Sequence, residues 1–373
     1  MNILDYIEKF GSQTFEQRPF NNVDATIMAT LSYVNFDLYS QKEDGYSIIL
    51  KDLEPSSFAR LCEGEFITKP NIDLLTKLKS SPRYYNIAIK FVRSEHSIVK
   101  EEQFFAITLV LPNNEFFIAF RGTDLTLLGW KEDTNMAMFK TVPSQHRAVN
   151  YVNEVASKLK GNFYIGGHSK GGNLAFYAHL NMDEKYSKRL IHSYSLDGPG
   201  FFDLDGMVND HIVDETHKMI KLVPQNTIVG IMLSNLKDAK VVYSTYAGIF
   251  QHNPYSWQVN QKTKDFIYRK RRTSESYINE LALTMWLNSL TLEERVFAGN
   301  AIFELLGGTK LNLTAFIKQP IERIKTIYEV QKKASKDDKQ KFISIFKQLL
   351  YYHRRAKEIY RLEAKQEKMK EEN

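Results

Sequence analysis

Cysteine is almost missing from this 373-residue chain. Cys62 stands alone, which excludes an internal disulfide and makes a thiolate metal site implausible. A basic and then apolar leader is missing too: Met1-Asn2-Ile3-Leu4-Asp5 has neither part. The two absences together predict a cytoplasmic protein. No apolar run approaches the length of a membrane span, and the longest, near Phe104–Pro112, is strand-sized. Internal repeats, zinc-ligand spacings and a P-loop are also absent. Neither a metal nor a cofactor is therefore expected.

Excess charge is confined to one end. The net charge is +6, and residues 319–373 hold 15 Lys and Arg against 9 Asp and Glu; the remaining 35 and 35 balance. A neutral body argues against a nucleic-acid-binding core and leaves a basic, amphipathic tail to explain. With 43% hydrophobic and 13% aromatic residues the chain is ordered and globular. It is long enough for a large core and a second region.

The chain is organised around Asn162–Ala175. Phe163, Tyr164 and Ile165 suit a buried strand, and Gly172–Leu180 favours a helix. Between them Gly167-His168-Ser169-Lys170-Gly171 fits G-x-S-x-G. In a nucleophile elbow the serine sits on a strained strand-to-helix turn, and glycine is needed two positions to either side. His168 and Lys170 read as exposed elbow residues without a part in proton transfer.

Upstream, residues 1–60 are mixed and mostly helical, with Asn22 or Asp24 as the cap of a helix carrying Ile27, Met28, Leu31 and Val34. Residues 52–82 suggest one or two helices broken at Pro55 and Pro70. Phe104–Leu111 and Glu115–Phe120, joined at Asn113-Asn114, form a hairpin that runs into Arg121-Gly122-Thr123. A helical stripe follows in Val149, Val152, Val155 and Leu159. Beyond the elbow come a strand at Leu190–Leu196, a helix around Met207–His217, and strands at Met219–Val223, Ile228–Leu233 and Val241–Tyr246. This alternation predicts an α/β architecture with a mostly parallel central sheet over residues 1–270. Residues 271–373 form a helical C-terminal region, broken at Gly307-Gly308 and near Ala334–Asp338.

A serine hydroxyl needs an adjacent base, normally a histidine oriented by a carboxylate. Of the histidines after Ser169, His179 lies in the elbow helix, His192 in a strand, His211 and His217 on a helix and His353 in the tail. His252 alone falls in a loop after a late strand, and it is the candidate base. Asp197 ends the strand that follows the elbow and is the candidate acid, with Asp203, Asp205 and Asp238 as alternatives. Its other possible role is to form the turn at Gly198-Pro199-Gly200. The oxyanion donors expected in such a fold are the Lys170 N–H and Thr123.

Phe120-Arg121-Gly122-Thr123 with Trp130 resembles the oxyanion-and-lid segment of class 3 (fungal-type) lipases, and Gly167–Gly172 resembles their elbow. The elbow, Asp197–Phe201, Gln251–Trp257 and Pro19–Asp24 resemble more closely the Mbeg-like proteins, a bacterial, lipase-like family of unknown function. The resemblance covers roughly residues 1–260. It implies an α/β-hydrolase fold with Ser169 as nucleophile, His252 as base and Thr123 in the oxyanion hole. Class 3 lipases carry their acid after a later strand. The matching stretch here, Leu222–Gly230, has none, which shifts that role to Asp197.

The expectation is a serine hydrolase acting on an acyl or lipid ester, with residues 125–135 as a lid over an acyl pocket. The alternative is a hydrolase-fold scaffold without catalysis. Residues 319–373 would either pack on the protein itself or lie on an anionic membrane surface.

Overall fold

The computed structural model describes every residue except 41, 42, 44, 64–66, 124–126, 202–214, 234–238, 308–334 and 372–373. Asp203, Asp205, Asp238 and His211, the start of the expected lid and the helix around 207 lie outside the described residues. So does most of the 319–335 segment.

The chain opens with α1 (Ile3–Phe10), α2 (Asn22–Leu31), β1 (Ile48–Ile49), α3 (Phe58–Leu61) and α4 (Thr68–Ser80). Next come β2 (Ala88–Ser97), β3 (Glu102–Val110), β4 (Phe116–Phe120), α5 (Leu127–Met136) and α6 (Pro143–Lys158). The central part holds β5 (Phe163–His168), α7 (Lys170–Asn181), α8 (Glu184–Ser187), β6 (Leu190–Leu196), β7 (Met219–Pro224) and β8 (Lys240–Val242). Three short strands follow, β9 (Val259–Asn260), β10 (Asp265–Phe266) and β11 (Tyr268–Arg269). From Ser274 the described chain is helical: α9 (Ser274–Ser289), α10 (Leu292–Gly307) and α11 (Lys336–Glu371).

Among the described residues the main sheet runs β1-β2-β3-β4-β5-β6-β7-β8-β11. The neighbours from β4 to β8 are parallel, and the pairs at both edges are antiparallel. Alternation of side chains along each strand splits the core into two layers. Phe104, Ala106, Phe116, Ile118 and Phe120 face α6 and α7. Phe105, Ile107, Leu109, Phe117 and Ala119 face α1, α2 and α4. The protein is thus a mixed α/β fold with helices on both faces of its sheet. The β3–β4 hairpin turns through Asn114, which has φ +63°.

Several local expectations change. The cap of α2 is Asn21, whose side chain accepts from the Val23 and Asp24 amides while Asp24 accepts from the Asn21 amide. Pro70 does not break a helix. It sits in the first turn of α4, where its missing N–H leaves no carbonyl unpaired. Ile228–Leu233 forms turns, not a strand, and the strand expected at Val241–Tyr246 stops at Val242.

Asp24 does more than cap. It is fully buried and takes Arg83 Nε (2.9 Å), Arg83 Nη2 (2.6 Å) and the Tyr84 hydroxyl (2.6 Å). Arg83 Nη1 donates to the carbonyls of Gln13, Thr14 and Arg18. This clamp ties the Gln13–Arg18 segment and the first turn of α2 to the stretch just before β2.

α9 and α11 lie antiparallel. Trp286 Nε1 donates to the Ile345 carbonyl at one end (3.0 Å), and the Tyr277 hydroxyl meets Glu363 at the other (3.0 Å). Ile345, Phe346, Leu349 and Tyr352 pack around Trp286 and Leu290, while Leu350, Tyr351 and Leu362 stay exposed. No helix among the described residues is long and apolar enough to cross a membrane.

Candidate active site

The site lies where the parallel strands end. β5 runs into Ser169, and α7 starts at the next residue. Ser169 has φ +58° and ψ −130°, a left-handed conformation that a non-glycine residue seldom adopts without a structural reason. Close approach enforces the flanking glycines. A Cβ on Gly167 would collide with the Gly171 main chain and with Phe120 O, and a Cβ on Gly171 would overlap the Phe120 carbonyl. The Ser169 side chain makes no capping bond to α7, and the residue is half-buried. Its amide donates to Leu196 O (3.0 Å), which ties it to the end of β6.

Asp197 follows directly on β6. It also adopts a positive φ, +50°, and its amide donates to Leu222 O on β7 (2.7 Å). The carboxylate is fully buried. Oδ1 accepts from the Thr227 hydroxyl, and Oδ2 accepts from His252 Nδ1–H at 2.7 Å. The Gly230 amide in turn donates to Thr227 Oγ1 (2.9 Å). His252 ends a short 3-10 turn, Gly248–His252, and its side chain is 24% exposed against 1% for Asp197. The structure therefore brings Asp197 and His252 together at the strand ends, with the His252 ring against that of His168, the residue before Ser169.

His168 and Lys170 are not exposed; both are buried. The His168 ring lies 4.3 Å from that of His252, and its Nε2–H donates to the His252 main-chain carbonyl (2.7 Å). Its Nδ1 then accepts from the Tyr33 hydroxyl (2.9 Å). That pattern needs a neutral ring. Burial, reinforced by the neighbouring His252, holds the His168 pKa well below the usual histidine value. Tyr33 lies just past α2. The carbonyls on either side of it, Ser32 and Val34, accept from Arg121 Nε (2.6 Å) and Nη2 (2.9 Å).

Lys170 points away from the serine hydroxyl. Its ammonium donates to Gln103 O (2.8 Å), Gln103 Oε1 (2.5 Å) and Glu132 Oε2 (3.0 Å), with both ions of the pair almost fully buried. Glu132 belongs to α5 and also accepts from the Gln103 and Ser144 amides. The inner face of the expected lid segment is thereby anchored to the elbow and to β3. Thr123 is half-buried, and its hydroxyl donates to Asp133 Oδ2 (2.5 Å). Its side chain is engaged by α5. A Cβ on Gly122 would lie 3.1 Å from Ser169 Cβ, so the Arg121–Thr123 segment runs directly beside the serine.

Three residues of this constellation had no signal in the sequence: Tyr33, Thr227 and the buried form of His168. Among the described residues, no group of three or more His, Cys, Asp or Glu side chains is placed to hold a metal ion.

The profile of the Mbeg1-like family matches residues 78–304. The chain belongs to the Mbeg1-like family. The matched part of this Mbeg1-like chain spans β2 to α10 and contains Ser169, Asp197 and His252; Tyr33 and the Asp24 clamp lie before it. No curated protein matches the chain.

Proposed function

We propose that the protein is a serine hydrolase of α/β-hydrolase fold that cleaves a carboxylic acyl or lipid ester through an acyl-enzyme. The observation that carries this reading is the 2.7 Å contact between His252 Nδ1 and Asp197 Oδ2, made across 55 positions of sequence at the strand ends beside a strained Ser169. In the proposed reaction Ser169 Oγ attacks the ester carbonyl. His252 Nε2 takes the hydroxyl proton and then returns it to the departing alcohol. Asp197 fixes the ring so that Nδ1 carries the hydrogen, and it stabilises the imidazolium that forms. The Lys170 N–H, one of the first-turn amides that no carbonyl within α7 can take, and the Thr123 N–H would hold the oxyanion. Water, giving its proton to His252 Nε2, then attacks the acyl carbon; the Ser169 Oγ–acyl bond breaks, the carboxylic acid leaves, and His252 returns the proton to Ser169 Oγ.

Burial of Asp197 and its second bond from Thr227 support a carboxylate held for one purpose. The contact also favours hydrolysis over a silent scaffold. The proposed setting is the cytoplasm. Peripheral membrane contact through residues 319–373 would fall on the exposed Leu350, Tyr351 and Leu362, because the opposite face of α11 is taken by α9. The test is labelling with a fluorophosphonate probe and mapping of the adduct by mass spectrometry. Labelling of Ser169 that is lost in His252→Ala supports the mechanism. Labelling elsewhere, or labelling indifferent to that substitution, overturns it.

A further inference from the structure

We propose that Thr273 and Ser276, in the C-terminal helical region, are positioning residues for the Asp197–His252 pair. They act through one turn, Gln225–Thr227, which follows β7 directly. Three hydrogen bonds fasten that turn to the start of α9. The Thr273 amide donates to Gln225 O (2.7 Å), the Thr273 hydroxyl to Asn226 Oδ1 (3.0 Å) and the Ser276 hydroxyl to Thr227 O (3.0 Å). Thr273 is also the cap of α9, since its Oγ1 accepts from the Ser276 amide (3.2 Å). One residue thus ends the helix and holds the turn.

The same turn reaches both members of the pair. Thr227 donates its hydroxyl to Asp197 Oδ1. The Asn226 amide donates to Oε1 of Gln251, the residue before His252 (3.1 Å). Gln225 exchanges two bonds with the Ser244 main chain: Nε2 donates to Ser244 O (2.8 Å), and the Ser244 amide donates to Oε1 (2.7 Å). Ser244 pairs with Trp257, whose Nε1 donates to Gln251 O (2.9 Å). Each residue of the turn therefore takes a bond from Thr273 or Ser276 and passes one on. Thr227 passes it to the acid, and Gln225 and Asn226 pass theirs to the loop that carries the base.

Burial makes these links consequential. Ser276, Thr227, Ser244 and Gln251 are all buried, so water does not readily replace a bond that is removed. Loss of the Ser276 hydroxyl deprives the Thr227 carbonyl of its bond to α9. A shift of Thr227 then moves the hydroxyl that fixes Asp197. α9 is braced in turn by α11, through Tyr277–Glu363 and Trp286–Ile345. The kinetic half of this inference rests on the hydrolase reading, and the geometric half does not.

The test combines proton NMR of the full chain with timed fluorophosphonate labelling of Ser169. NMR follows the His252 Nδ1–H held by Asp197, assigned by its loss in His252→Ala. Ser276→Ala and Thr273→Val should each move that resonance and slow labelling by roughly three- to tenfold, the worth of one hydrogen bond. Thr273→Ser keeps the hydroxyl and should restore both. Tyr277→Phe cuts α9 from Glu363 but leaves the turn alone, and should change neither. Thr273 is exposed, so its variants report even where Ser276→Ala fails to fold. Wild-type labelling and an unmoved resonance in Thr273→Val overturn the inference and spare the hydrolase reading. So does an equal effect in Tyr277→Phe, which would mean general destabilisation. A moved resonance in a protein that labels nowhere keeps the positioning role and removes the hydrolase reading.

Discussion

His168 holds His252 by its main chain: a neutral imidazole donates to the carbonyl of the residue whose own imidazole lies 4.3 Å away. In the proposed mechanism His168 would be a positioning residue, with Tyr33 setting its tautomer. His168→Phe keeps the ring and removes both bonds. Fluorophosphonate labelling of Ser169 should slow by roughly 10- to 100-fold, the range produced by small misplacements of a catalytic group. Tyr33→Phe should slow it less. If both variants label at the wild-type rate, the His168 bridge has no part in positioning.

Asp197→Asn retains shape and burial but permits the wrong His252 tautomer. Turnover of a chromogenic ester should fall by about 10⁴-fold, as expected when the orienting carboxylate of a triad is neutralised. Thr227→Val removes a single bond to Oδ1, and a loss nearer tenfold is expected. Steady-state rates for the two variants give the comparison directly.

Lys170 and Glu132 form an ion pair whose partners are 1% and 0% exposed. Removal of one partner leaves an unpaired charge in the interior. Glu132→Gln and Lys170→Met should each cost about 3–5 kcal/mol in urea unfolding. The double variant should cost less than the sum, because neither charge is then left alone. Additive losses would mean that the two groups do not interact.

Burial sets an acid limit on stability. His179 is pushed from the usual histidine value down to about 3, chiefly by burial and then by the nearby Lys218, His217 and His192. Glu215 lies 3.9 Å from its Nε2, too far for a hydrogen bond, and does not offset burial. The folded state keeps this ring neutral while the unfolded chain takes a proton below about pH 6.5. The stabilisation is therefore complete above that value and is lost as pH falls towards 3, by up to about 1.4 kcal/mol per pH unit. His168 acts in the same direction. His179→Gln should flatten the acid limb of a stability-versus-pH series, and an unchanged limb would refute this account.

The central architecture was legible because its signals are local. Phe104–Leu111, Asn113-Asn114 and Glu115–Phe120 give a hairpin by composition alone, and G-x-S-x-G between an apolar run and a helix gives a turn whose crowding requires both glycines. Asp197 and His252 were legible by position, as a strand end and a late loop. Tyr33 and Thr227 were not, because each acts at a distance set by the fold: 135 residues separate Tyr33 from His168, and 30 separate Thr227 from Asp197. Lys170 misled because lysine favours water, and only the folded chain reveals Glu132 beneath it. Ile228–Leu233 misled because an apolar run can line turns as well as strands.

The Asp24–Arg83 clamp has a practical consequence. The family match begins at residue 78, yet Arg83 finds its counter-ion and its carbonyl acceptors upstream of that point, and so does Arg121. A fragment trimmed to the matched span would strand two guanidinium groups in the interior and lose the phenol that steadies His168. Expression boundaries, and any transplant of this centre onto another scaffold, should therefore include the segment from Gln13 to Asp37.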